Sequence, residues 1–544
     1  LKVTVKDVLI ALVIVLAVGA VAFYLLLPAV NIHDKTFTGM IAVLLFLFAL
    51  ILYMRGGWRY GMSLFENGFK VGVAEIAAIL AIAIFVLAAV IGAVTSTTIL
   101  RAASYQKLLA VKPGSFVEDI GQADFNNIPM LDLESAVKLG DRKMGELVDI
   151  VSQFEVAGDY SQINFKGTPV RVTPLEYGDI IKWFNNQKKG LPAYIIINMV
   201  TQQVTVQRLA EGMKYSFSDH FGRYLPRHLR FSYPTFIFDY AIFELDDNGH
   251  PFWVVPRVNY TIGLYGGKDV VGVVLCDAVS GQTRYYDLKD VPQWIDRAFS
   301  SELVMEQFDY YGTLKHGFWN SIFGQRDSIE TTDGYNYIAM NDDIYMYTGV
   351  TSVGSDQSNV GFLWVNQRTK EAKFYPVPGA DERSAMNSAQ GQVQDLGYTA
   401  TFPLLLNIGN QPTYFLALKD SAALVKLYAM VNVGQYQIVS TGSTVLACEQ
   451  QYLKLLAQHG LTNESTTGME TLSGKITDIR SAVIDGNTVF YLGIEGVQTM
   501  FVVPVKSFTD VVTYDVGDIV EIRYTVSGGL LTTVFSIQLV PPTT

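Results

Sequence analysis

Apolar residues follow two regimes along this chain. Up to about residue 100 they form long unbroken runs, and residues 8–30, 37–54 and 71–100 are each long enough to cross about 30 Å of hydrocarbon as a helix. Beyond them, apolar positions rich in Tyr, Phe and β-branched residues alternate with polar ones, which is the pattern of strands. Stretches of helical period interrupt it. The pattern predicts a helix over residues 133–156, another over 175–186 and a hairpin over 193–209.

From residue 251 a unit recurs three times: an aromatic-rich strand, a hairpin with a polar turn, then a short helix. The copies are 251–258, 272–288 and the helical 291–299; then 343–352, 361–377 and 381–393; then 412–420, 426–440 and 443–457. Residues 460–470 (GLTNESTTGME) read as a linker, and five short strands follow in 471–544. The expected division is therefore a three-span anchor at 1–104, a stalk and α-rich entry region at 105–190, an α+β body at 191–459, the linker at 460–470 and a β-barrel at 471–544.

The spans point in a definite direction. The first loop carries Lys35 alone, whereas the second carries Arg55, Arg59 and Lys70 beside Trp58 and Tyr60. The excess of Lys and Arg places the N-terminus and the second loop in the cytoplasm and the rest of the chain outside. In span three, Ala77/Ala81, Ala88/Gly92 and Ala89/Ala93 stand at four-residue spacing, which lets helices approach closely and suggests packing faces for a homo-oligomer. Glu75, near its start, reads as a carboxylate within reach of the interface.

The chain has 544 residues, is 50% hydrophobic and carries a net charge of −11. The first hundred residues hold six basic and four acidic groups, so the remainder holds 34 and 47, a net of −13. An acidic exterior repels phosphate backbones and argues against a nucleic-acid partner. Cys276 and Cys448 lie in apolar runs and read as buried thiols.

Signatures of chemistry are sparse. Ser104 and Lys107 have the spacing of a nucleophile and its amine, but directly beyond a span this reads as chance. His220 and His228 stand among arginines that repel a divalent metal, so no metal, no catalytic residue and no cofactor is expected. Arg223, Arg227, His228 and Arg230 make the most basic patch of an acidic body and are candidates to contact an anion or a partner. The acidic turns at Asp246 and at Asp342-Asp343 read as plain turns. The aromatic stretch 317–324 reads as buried packing, with membrane or partner contact as the other possibility.

The turns Ala278-Val279-Ser280-Gly281 and Asn366-Gln367-Arg368-Thr369 resemble the hairpin core of PepSY-type modules, which are non-catalytic, and the C-terminal strands resemble an OB-type barrel. The three-span start, the segment RYLPRHLRFSYPT and the stretch 333–386 together resemble uncharacterised Gram-positive bacterial membrane proteins, some labelled cell-shape-determining or CvpA-like. The resemblance implies a multi-pass membrane protein with an exported body, the lipid bilayer as a partner and an envelope protein as another. The expected function is a non-catalytic, self-associating envelope scaffold or assembly protein. The alternative is a sensory or enzyme-regulatory protein whose exported modules bind a ligand or restrain a partner hydrolase.

Overall fold

The computed structural model describes residues 4–57, 73–123, 128–340, 342–354, 358–462, 469–484, 487–505, 508–525 and 531–540. Most of the second loop, with Trp58, Arg59, Tyr60 and Lys70, lies outside them, as do most of the 460–470 linker and the side chain of Glu75.

Three apolar helices, α1 (Val5–Leu26), α2 (Lys35–Gly57) and α3 (Val73–Thr95), are long enough to span a membrane. At one end Asp7, in the capping box of α1, pairs with Arg55 of α2 at 3.0 Å. Ala77 and Ala81 are buried, and α3 packs along α2. Then come α4 (Thr98–Tyr105), β1 (Val111–Pro113) and α5 (Phe116–Asp119), which lead into the body.

The body is four copies of one unit, each a helix followed by five strands. The first is α6 (Leu133–Gly145), β2 (Phe154–Val156), β3 (Ser161–Phe165), β4 (Thr168–Tyr177), α7 (Ile180–Asn186), β5 (Leu191–Asn198) and β6 (Val204–Met213), with α7 inserted between its third and fourth strands. The second is α8 (Leu225–Ser232), β7 (Ile237–Phe238), β8 (Ile242–Leu245), β9 (Pro251–Ile262), β10 (Gly266–Asp277) and β11 (Thr283–Asp287). The third is α9 (Ser301–Thr313), β12 (Ile329–Thr331), β13 (Asn336–Met340), β14 (Asp343–Ser352), β15 (Ser358–Asn366) and β16 (Ala372–Tyr375), and β17 (Gly379–Ala380) follows along β15. The fourth is α10 (Glu382–Gly391), β18 (Thr399–Ala400), β19 (Leu404–Ile408), β20 (Gln411–Lys419), β21 (Val425–Asn432) and β22 (Val439–Gly442). In every copy the first two strands both pair with the third, and the third, fourth and fifth form an antiparallel meander.

One hydrogen-bond scheme explains why the unit recurs. The fourth strand ends in Asn198, Asp277, Asn366 or Asn432, whose side-chain oxygen accepts backbone N–H groups of the turn beyond it. The next residue, Met199, Ala278, Gln367 or Val433, donates its N–H to the start of the third strand, at Pro169, Pro251, Ile344 or Pro412. Its carbonyl accepts from the chain entering the same unit, at Met130, Lys214, Ala298 or Ala380. Entry, third strand and last hairpin are thus clipped together at one point.

This corrects the fold class expected from the sequence. The body is not a set of three PepSY-like hairpins each followed by its helix, because the helix leads the unit and there are four copies, the first beginning inside the stretch expected to be stalk. Residues 291–299 are not helical. Their backbone donors are taken elsewhere: Asp296 and Arg297 N–H go to the Glu244 carboxylate, and Ala298 and Phe299 N–H to the Gln367 carbonyl. The helix expected over 133–156 ends at Gly145, and Thr168–Tyr177 is strand before α7 begins.

Neighbouring sheets share cores. Trp253 and Val255 of β9 face the first unit while Val254 and Val258 face the third; Met346 and Leu363 face the second unit while Tyr347 and Trp364 face the fourth. Strands buried on both faces read as continuous apolar runs, as in GVVLCD and GFLWV. After α11 (Val445–Gln458), the strands β23 (Met469–Ile484), β24 (Asn487–Ile494), β25 (Met500–Pro504), β26 (Ile519–Thr525) and β27 (Leu531–Leu539) pair in a closed circuit, β23-β24-β25-β27-β26, around Ile476, Phe501 and Val520.

Candidate functional site

Two of the four basic candidates singled out in the sequence, Arg227 and Arg230, hold the body to the first membrane helix. Arg230 donates through Nε to the Leu27 carbonyl at 2.9 Å, and Arg227 donates to the Tyr24 carbonyl at 3.3 Å and stacks on the Tyr24 ring at 4.0 Å. Two cations therefore meet the C-terminal end of α1, where unpaired carbonyls concentrate partial negative charge. His228 contacts the Gly281 carbonyl at 2.7 Å, and Arg223 donates to the Gln187 carbonyl. His220 stacks edge-on with Trp183, away from His228. On the other side, Tyr265 N–H donates to Ser96 Oγ at 2.9 Å and Leu264 N–H to Thr95 Oγ1 at 3.3 Å. Gly92 is in close contact with the Tyr265 ring, and Ala88, Ala89, Gly92 and Ala93 line a groove of about 650 Å³ that Tyr265 helps to close. The outer half of the small-residue face thus meets the body of its own chain.

Other candidates are placed apart. Ser104 and Lys107 are exposed. Asp246 accepts N–H groups of its own turn, and Asp343 pairs with Arg368 at 2.7 Å. Cys276 and Cys448 are free and buried.

The sequence did not single out the joint between the units. A cavity of about 460 Å³ opens there, lined by Met130, Asp132, Tyr160, Arg171 and Met199 from the first unit, Arg297 from the connection into the third, Tyr335, Asn336 and Tyr337 from the third, and Thr401, Phe402 and Phe415 from the fourth. Arg171 stands on β4 inside the run Val170–Val172, so its neighbours turn into the core while it faces the joint. Arg297 is placed by the Glu244 carboxylate, which accepts its own N–H and that of Asp296, and by its Nη2 donating to Tyr337 Oη at 2.8 Å.

Both guanidinium Nε atoms are buried without a hydrogen-bond partner, as is the Tyr160 hydroxyl. Burial pushes the Arg171 guanidinium down to about 10, with Asp132 opposing the shift and Arg297 adding to it. Asp132 does not discharge the pair, because Lys419 holds it at 2.6 Å. Burial likewise drives the Glu244 carboxyl upward, and burial together with Glu244 drives Asp296 upward. Unpartnered buried donors are rare in folded proteins, and each calls for an acceptor such as water or an ion. Here two arginines and a tyrosine line one space with aromatic walls, a setting that suits a small anion carrying an apolar group. The signal in the sequence was slight: an arginine flanked by valines, and one inside the apolar WIDRAF.

No protein-family model matches the chain, and no curated protein does. The chain is a membrane-anchored protein with a large domain outside the bilayer, and among the described residues no group of His, Cys, Asp or Glu is arranged to hold a metal.

Proposed function

We propose that this is a sensory protein of the bacterial cell membrane whose exported body binds a small organic anion, a carboxylate or phosphate on an apolar frame, in the joint between its first, third and fourth units. The observation that carries this reading is that Arg171 and Arg297, each with a buried Nε that has no hydrogen-bond partner, line one cavity. A cavity of this size suits a small organic ligand. Because the joint is built from three units, a ligand there biases how they sit together. The same body is tied to all three membrane helices, through Arg227 and Arg230 to α1, through His33 to the start of α2, and through Tyr265 to α3, which offers a route from ligand to membrane. The Lys/Arg excess of the second loop supports an outward body.

The scaffold reading is favoured by a different observation, the repetition of one unit four times, which multiplies surface for partners. Thermal melting of the detergent-solubilised protein separates the two. Under the sensory reading, millimolar phenylphosphate raises the melting temperature by several degrees and Arg171→Met abolishes the effect. A melting temperature unmoved by phenylphosphate, citrate and inorganic phosphate contradicts the sensory reading and leaves the scaffold.

A further inference from the structure

Two exposed apolar prongs flank the ends of the membrane helices. One is made by Ile181 and Phe184 of α7 and Phe231 of α8; the other by Trp319, Ile322 and Phe323, in and beside a turn of π-helix after α9. Phe184 is 68% exposed and Phe323 79%. The expectation that residues 317–324 are buried packing is corrected here: Trp319 and Phe323 stack on each other at 5.9 Å and face solvent.

Neither prong is a slack loop. Trp183, between Ile181 and Phe184, is buried and donates to Asp219 at 3.0 Å, so α7 is fixed while its apolar side faces out. Leu314, at the foot of the second prong, is buried against Tyr105, whose hydroxyl donates to the Ser96 carbonyl at the end of α3. Both prongs are continuous with the anchor. Phe231 meets Phe23 edge-on at 5.9 Å and Tyr24 at 6.4 Å, in the last turns of α1, so this side chain of the body lies at the depth of a membrane-spanning segment. Basic residues stand beside them in the sequence, Lys182, Lys188 and Lys189 at the first and Lys315 and Arg326 at the second, with Asp179 pairing with Lys182 and Asp327 with Arg326.

We propose that the body rests on the bilayer, with α7 and the 317–324 turn inserted among the headgroups of an anionic leaflet. Aromatic residues beside Lys and Arg at a headgroup boundary combine apolar burial with attraction to anionic lipid.

The test uses the full chain in nanodiscs of one copy each, containing phosphatidylglycerol. Spin labels are placed by Phe184→Cys and Phe323→Cys, with Leu87→Cys on α3 as the lipid reference; Cys276 and Cys448 are buried and do not label. The proposal predicts that both prong labels, like the reference, are relaxed more by oxygen than by a water-soluble nickel chelate, and that the preference weakens several-fold in purely zwitterionic lipid. Labels more accessible to the chelate than to oxygen overturn it, since a second copy, the other candidate cover, is absent from such discs. A preference indifferent to lipid charge overturns the anionic part.

Discussion

Arg171 of the first unit and Arg297 of the connection into the third line the same cavity, each with a buried Nε that meets no acceptor. Two like charges placed together out of water cost stability, and replacing buried charged groups by apolar ones of similar volume is often neutral or favourable. Arg171→Met is therefore expected to raise the melting temperature of the ligand-free protein, by about 1–2 kcal/mol of stability, while removing stabilisation by phenylphosphate. A variant less stable than the wild type without ligand assigns Arg171 to the fold.

The turn residue that recurs in every unit gives a graded prediction. Asn198 accepts two backbone N–H groups, at 2.9 and 2.8 Å, and Asn198→Ala is expected to cost about 1 kcal/mol. Asn366 does the same and also donates to Asp343 at 2.8 Å in a buried setting, so Asn366→Ala is expected to cost about 2–3 kcal/mol. Comparison of the two melting curves checks the order.

Burial pushes the Glu382 carboxyl from 4.5 up to about 7; Thr332 donates to one oxygen at 3.0 Å and the other is unpartnered. The folded state holds this proton more tightly than the unfolded chain. Its contribution to stability is therefore present below pH 4.5, falls as pH rises, and is lost above about pH 7. Glu382→Gln imitates the neutral acid and is expected to be more stable than the wild type at pH 8, by about 1–3 kcal/mol, with a flatter profile between. Melting temperatures from pH 4 to 8 read this directly.

An ideal Cβ on Gly92 falls 2.4 Å from the Tyr265 ring, whereas one on Gly39 meets nothing within 4 Å. Gly92→Leu is expected to pull the 262–266 turn off Ser96 and Thr95 and raise its amide exchange at least tenfold, with Gly39→Ala unchanged.

Parts of this architecture were legible because they depend on composition alone. Spans are long apolar runs, and a strand such as Phe362–Val365, buried on both faces, carries no polar alternation to disguise it. The order of helix and sheet within the unit was not legible, because it depends on where the donors of residues 296–299 go, and the Glu244 that takes two of them lies 52 positions away from Asp296. The role given to Arg223, Arg227, His228 and Arg230 turned on the same kind of fact: their partners are main-chain carbonyls of distant segments, including α1. The cavity was invisible for a deeper reason. An arginine is unpartnered only relative to everything folded around it, and three units from distant parts of the chain surround Arg171 and Arg297.

The most direct measurement is the location of a bound anion. A photoreactive benzophenone phosphate, added to the membrane-extracted protein, irradiated and followed by peptide mapping, is predicted to mark Met130, Tyr335–Tyr337 or Phe402, to be displaced by phenylphosphate, and to lose these adducts in Arg297→Met. Adducts spread over the surface, or at these positions but unchanged in Arg297→Met, contradict an anion site between the two arginines.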